Sequence, residues 1–137
     1  MNWTVADIST IVELSPRQVI HLSSKEILKP SVAGDKPPGK GRIGFYSDQD
    51  LLILAALGRV AEIVGTIPSE LARAAVKAVR QANDLNGKFL LVDSTGTFVC
   101  DRETMFDVSQ ESAAMVIAFD PLLSTLERER RKRGADV

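Results

Sequence analysis

The sequence predicts an α+β fold: an N-terminal winged helix-turn-helix with a helical pair behind it, then a small C-terminal αβ domain containing a β-hairpin. Three observations carry this expectation. Two short helical patterns joined by Glu13-Leu14-Ser15 are followed by a Gly- and Lys-rich stretch that ends in the aromatic pair Phe45-Tyr46. Apolar residues at helical spacing then run from Ser47 to Ala82. Beyond Asn83-Asp84-Leu85-Asn86-Gly87 the pattern shifts to short apolar runs typical of strands. The expected division is therefore residues 1–82 and residues 83–137.

Val5, Ala6, Ile8, Ile11 and Val12 fall on one helical stripe, with Thr4 placed to cap it and Asp7 in its first turn. Ser15 is a favoured N-cap and Pro16 a favoured first helical residue, so a second helix should run from Pro16 to about Ser23. Val19 and Leu22 share one face of it, and Arg17, Gln18 and His21 share another. Lys29-Pro30 then forces extended chain, because proline disfavours helix at the residue before it. Strands over Leu28–Val32 and Arg42–Tyr46 would enclose a tip rich in glycine and lysine. Together these make residues 29–46 a wing.

Ser47 can cap the next helix, and Asp48 and Asp50 suit the positive end of its dipole. Its apolar residues lie on more than one side as far as Val64, so it should pack against several elements. Gly65 breaks it, and a further helix is expected from Pro68 to Ala82, with Leu71, Ala75, Val76 and Val79 buried. Lys88–Asp93 and Thr97–Asp101 read as a hairpin around the three-residue loop Ser94-Thr95-Gly96. Ala113–Phe119, continuously apolar, reads as a strand buried on both faces. Asp120-Pro121 starts a final helix.

The chain has 137 residues, 45% of them hydrophobic, which is enough to bury a core and argues against disorder. A net charge of -1 conceals segregation. Residues 1–46 hold six Lys or Arg against four Asp or Glu, residues 47–126 six against eleven, and residues 127–137 five against three. Basic ends flank an acidic middle, and charge placement matters more than its sum for a polyanionic partner. One cysteine, Cys100, and an N-terminus without a signal-peptide pattern lead to the expectation of a cytoplasmic protein. No apolar run approaches a membrane span.

The stretch VADISTIVELSPRQVIHLSSKEILKPS, followed by GRIGFYSDQDLLILAAL, resembles the winged helix-turn-helix of the MerR family of transcription regulators. The shared features are a turn ending in Ser-Pro-Arg, a short recognition helix, Leu-Lys-Pro leading to the wing, a wing arginine, an aromatic pair ending in Tyr-Ser, and an acidic helix start. The resemblance covers about the first half of the chain. It implies that Arg17 and Gln18 approach the major groove, where Arg can pair with guanine and Gln with adenine. His21, the third candidate base reader, and Leu22 stand where the family commonly has two tyrosines, and Arg42 stands at its wing arginine. Two positions depart from the pattern: Ile20 replaces a common arginine, and Glu26 the usual glycine. Lys36, Lys40 and Arg42, aided by Lys25 and Lys29, would follow phosphates, and Tyr46 completes the expected contact set.

Other chemistry has little support in the sequence. His21 is the only histidine, which gives no support to a Ser/His/Asp set or a histidine-rich metal site. Cys100, inside an apolar strand, reads as a small hydrophobe. Metal-sensing members of the MerR family carry several cysteines after a long coiled-coil helix, and neither is present. No enzymatic activity, metal or cofactor is expected. The expected function is that of a transcription regulator binding double-stranded DNA as a homodimer, with residues 83–137 serving dimerisation or a protein partner. The alternative is an antitoxin-like or excisionase-like DNA-binding module whose C-terminal part binds another protein. The basic tail Arg128, Arg130, Arg131, Lys132 and Arg133 reads either as a polyanion contact or as the solvated end of a helix.

Overall fold

Short-range capping explains where the first three helices begin. Thr4 and Asp7 exchange side-chain and backbone hydrogen bonds in a capping box that opens α1 (Val5–Ile11). Ser15 and Gln18 do the same for α2 (Pro16–Ser24), and Ser47 and Asp50 for α3 (Asp48–Val64). Each box satisfies donors that a helix start leaves free. The computed structural model describes residues 1–32 and 44–134.

α3 ends at Gly65, whose φ of 88° gives the left-handed backbone that favours glycine. α4 (Ser69–Gln81) returns beside it, burying Ala72, Ala75 and Val79. β1 (Phe89–Asp93) and β2 (Gly96–Cys100) form a hairpin in which Asp93 pairs with Gly96. The connection is therefore the two residues Ser94-Thr95, one fewer than expected. Asp93 tightens it by accepting from the Thr95 hydroxyl, the Thr95 N–H and the Gly96 N–H. These bonds, the Thr95 hydroxyl foremost, hold the Asp93 carboxyl below its usual range.

α5 (Arg102–Glu111) was not expected from the sequence. Asp101 caps it by accepting from the Thr104 N–H at 2.8 Å, yet no residue of the helix is buried. Without an apolar stripe there is little periodicity to read. β3 (Met115–Ala118) pairs antiparallel with β1, giving a three-stranded sheet in the order β2-β1-β3. The expectation that this strand is covered on both faces is corrected: β3 lies at an edge, and only Ile117 in it is buried. α6 (Asp120–Gly134) closes the described chain.

The protein is thus α+β, with six helices and one three-stranded antiparallel sheet among the described residues. α3 is the central element, buried along Leu51–Leu54 and again at Ala56, Leu57 and Val60. It packs against α4, α6 and β3, as its all-round apolar character predicts. One continuous apolar core runs from Trp3 and Ile8 through α3 to Leu90, Ile117, Phe119 and Leu126, so residues on both sides of the 82/83 position share it. No helix among the described residues is long and apolar enough to cross a membrane.

The strands expected over Leu28–Val32 and Arg42–Tyr46 are replaced, among the described residues, by two isolated bridges. Val32 and Phe45 exchange backbone hydrogen bonds at 2.8 and 2.7 Å, and Trp3 and Tyr46 at 2.9 and 2.8 Å. Pairing Tyr46 with Trp3 draws the chain before α3 toward the N-terminal helices instead of extending a hairpin.

Candidate functional site

α2 presents two chemically distinct faces. Val19 and Leu22 are buried against the core, while Arg17, Gln18, His21 and Lys25 are all exposed. Arg17, His21 and Lys25 are spaced by four residues, so they form one row along the helix. Ile20, the large apolar residue at the position of the expected arginine, is exposed as well.

The end of α2 is fixed by backbone geometry. Glu26 N–H donates to Ser23 C=O at 3.0 Å and Ile27 N–H to Leu22 C=O at 2.9 Å, which is the Schellman pattern. It requires a left-handed residue, and Glu26 takes it with φ 58°. That is the position where the resemblance expects glycine, so the backbone demand is present although the residue differs. Lys29 donates to Glu26 at 2.9 Å, and this bond with the Lys29 charge holds the Glu26 carboxyl below its usual range. Arg73 of α4 donates to the Lys25 carbonyl at 3.2 Å, satisfying an end group of α2 and tying α4 to it.

Gln18 is exposed but occupied, since its Oε1 accepts from the Ser15 N–H at 2.8 Å. Bidentate reading of adenine would require that oxygen as well as the amide group. A groove of about 280 Å³ runs between α2 and the turn joining α3 to α4. Arg17, Gln18 and His21 line it from α2, Thr66 and Ile67 from the turn, and Ser69 from the start of α4.

Tyr46 does not belong to this surface. It is 1% exposed, and its role as a DNA contact is corrected to a core position. The ring sits behind α2, with its phenol beside the Ser23 hydroxyl. Burial, reinforced by the Asp50 charge, pushes the phenol above its usual value, and the Ser23 hydroxyl opposes that shift. Lys36, Lys40 and Arg42, the expected phosphate contacts of the wing, lie outside the described residues.

The base of that segment is built around Asp50, which the sequence marked only as a favourable charge at a helix start. Asp50 is fully buried. Its Oδ2 accepts from the Ser47 N–H at 2.9 Å and from the Ser31 hydroxyl, and its Oδ1 accepts from Arg80 Nη2 at 2.8 Å. One carboxylate thereby joins the chain before residue 33, the start of α3 and the end of α4. Beside it, a Cβ at Gly44 would lie 2.7 Å from the Pro30 Cβ, so the two chain ends meet at a spacing only glycine permits. No local spacing in the sequence identifies Ser31 or Arg80 as partners of Asp50.

The basic tail splits into two groups. Arg133 lies 5.0 Å from the Trp3 ring centroid and donates to Asp7 at 3.1 Å, while Arg130 approaches Asp48 at 3.4 Å. Asp48 also accepts from the Trp3 indole N–H at 2.8 Å. Arg133 fastens α6 to Trp3 and α1, and Arg130 fastens it to the start of α3. Arg131 pairs with Glu127 of its own helix at 2.6 Å, and Arg128 and Lys132 are exposed.

Among the described residues no three His, Cys, Asp or Glu side chains converge to hold a metal ion. Burial, with the Asp101 charge, pushes the Cys100 thiol up, away from the thiolate form that reactivity requires. A scan against protein-family models and a search of curated proteins return no match to this chain.

Proposed function

We propose that this chain is a sequence-specific double-stranded DNA-binding protein, a transcription regulator that acts as a homodimer, with α2 as its recognition helix and residues 29–46 as a basic wing. The observation that carries the reading is the row Arg17, His21 and Lys25 on the exposed face of a helix anchored from behind by Val19 and Leu22. Direct readout needs cationic and hydrogen-bonding side chains on a protruding helix that does not shift as it docks. The capping box, the Schellman turn and Arg73 supply that fixity at both ends of α2.

Arg17 is the first base reader in this scheme, because Gln18 must release the Ser15 N–H before it can pair with adenine. His21 and Lys25 continue the contact toward the backbone, and Lys36, Lys40 and Arg42 complete it with phosphates. The sequence resemblance of about the first half of the chain to the MerR family supports the reading, as does the left-handed turn at Glu26. The test is Arg17→Ala against a selected operator and an unrelated duplex. A loss of about 1–3 kcal/mol confined to the operator is expected. Equal losses on both duplexes would remove Arg17 from base reading.

A further inference from the structure

We infer that the free edge of β3 is the surface through which two copies of this chain pair, forming one sheet across a two-fold axis. The inference deepens the homodimer of the proposed function by naming its interface. Phe119 N–H donates to Lys88 C=O at 3.1 Å, which sets the alternation of the β1–β3 ladder. In the observed register Met115 and Ile117 then turn their backbone groups toward β1. Val116 and Ala118 turn theirs outward, and β3 has no second neighbour among the described residues.

A groove of about 230 Å³ follows that edge. It is lined by Val116, Ile117 and Ala118 in succession. Successive side chains of a strand point to opposite faces, so a groove touching all three runs along the backbone edge and not over a face. Of the features that protect edges, the strand has shortness but neither charge nor proline: its sequence is Met-Val-Ile-Ala.

The geometry favours a second copy as the occupant. An antiparallel partner strand centred on Ile117 would set Val116 opposite the second copy's Ala118, and Ala118 opposite its Val116. Each pair exchanges two backbone hydrogen bonds, so every outward group of the short strand is satisfied. α3 forms the rim of the groove with Arg59 and Glu62, half-exposed and paired with each other at 3.3 Å within the helix. A two-fold axis that brings the two rims together can join the two pairs into one network in which each arginine also faces the other copy's glutamate. Ile63, at 61% exposure, is the most exposed large hydrophobic residue described and lies on the same rim. Pairing would cover it.

The test is sedimentation of the full chain with hydrogen exchange at β3, for the parent, Val116→Pro and Ile63→Glu. Proline at 116 removes an outward N–H and leaves the β1 ladder intact, while Ile63→Glu alters only an exposed side chain. The parent should sediment as a dimer with slow exchange at Val116 and Ala118. Both variants should fall to half the mass, and Ile63→Glu should exchange fast at those two amides. A monomeric parent, a dimer surviving Ile63→Glu, or a dimer with unprotected Val116 and Ala118 amides would overturn the inference. A β3-paired dimer without DNA preference would sink the DNA reading alone, and a monomer recognising one half-site would sink the homodimer and its interface while leaving the DNA reading.

Discussion

Replacing Arg80 by alanine should reveal how strongly the junction below the wing depends on one ion pair. Asp50 is fully buried and receives two neutral donors, the Ser47 N–H and the Ser31 hydroxyl, besides the Arg80 guanidinium at 2.8 Å. Removing one partner of a buried pair typically costs about 3–5 kcal/mol, because the remaining charge stays in low dielectric. The Arg80 side chain is 38% exposed, so solvent already screens part of the attraction. Its Nη1 bond to Gln49 is exposed and adds little. The expected loss is therefore about 2–3 kcal/mol, at or just below the lower limit for a buried pair. In a chain of this size that corresponds to a fall of roughly 6–15 °C in melting temperature. Urea titration monitored by circular dichroism measures it directly.

A double-mutant cycle isolates the cause. Asp50→Asn retains an oxygen acceptor for the Ser47 N–H but carries no charge to orphan. In that background Arg80→Ala should cost less than about 1 kcal/mol. A cost under about 0.5 kcal/mol for Arg80→Ala alone, or the same cost in both backgrounds, would show that the Asp50–Arg80 pair does not hold this junction.

Three further outcomes are expected. Glu26→Gly should raise the melting temperature by a few degrees, since glycine accepts φ 58° without a Cβ and only an exposed ion pair is lost; a lower melting temperature would show that the Lys29 contact outweighs the backbone. Tyr46, the only tyrosine, should titrate above its ordinary value of 10.0, which phenolate absorbance can follow. A raised folded-state value means that folding favours the neutral phenol. Its contribution is therefore complete below pH 10.0, is lost as pH rises through the folded value, and should vanish from the alkaline urea midpoints of Tyr46→Phe. Lys40→Ala combined with Arg42→Ala should weaken binding to all duplexes and flatten its salt dependence by about two phosphate contacts, whereas an unchanged slope would remove the wing from the interface.

What was legible in the sequence was mainly local. Thr4, Ser15 and Ser47 each stand three residues before their capping partners, so the starts of three helices follow from spacing alone. The exposed row on α2 follows from helical period, and the hairpin from its turn residues, although its loop is one residue shorter than expected. The remainder depends on contacts distant in sequence. Tyr46 is drawn inward by a bridge to Trp3, and an aromatic residue after a basic loop gives no sign of that. Asp50 looks like any helix-start acid until Ser31 and Arg80 arrive from other elements. β3 has the apolar run of a central strand, but the order β2-β1-β3 places it at the edge. Arg130 and Arg133 belong to a basic run whose two uses, solvated helix end and contact surface, differ only in what lies opposite.

Selection from a pool of genomic fragments by the purified full chain, followed by sequencing of the bound DNA, tests the central claim most directly. The account predicts enrichment of an inverted repeat whose half-sites lie about 10 base pairs apart, or a multiple of that spacing, centre to centre. The enrichment should disappear with Arg17→Ala. Binding spread evenly over all fragments, or no binding at low salt, would contradict it.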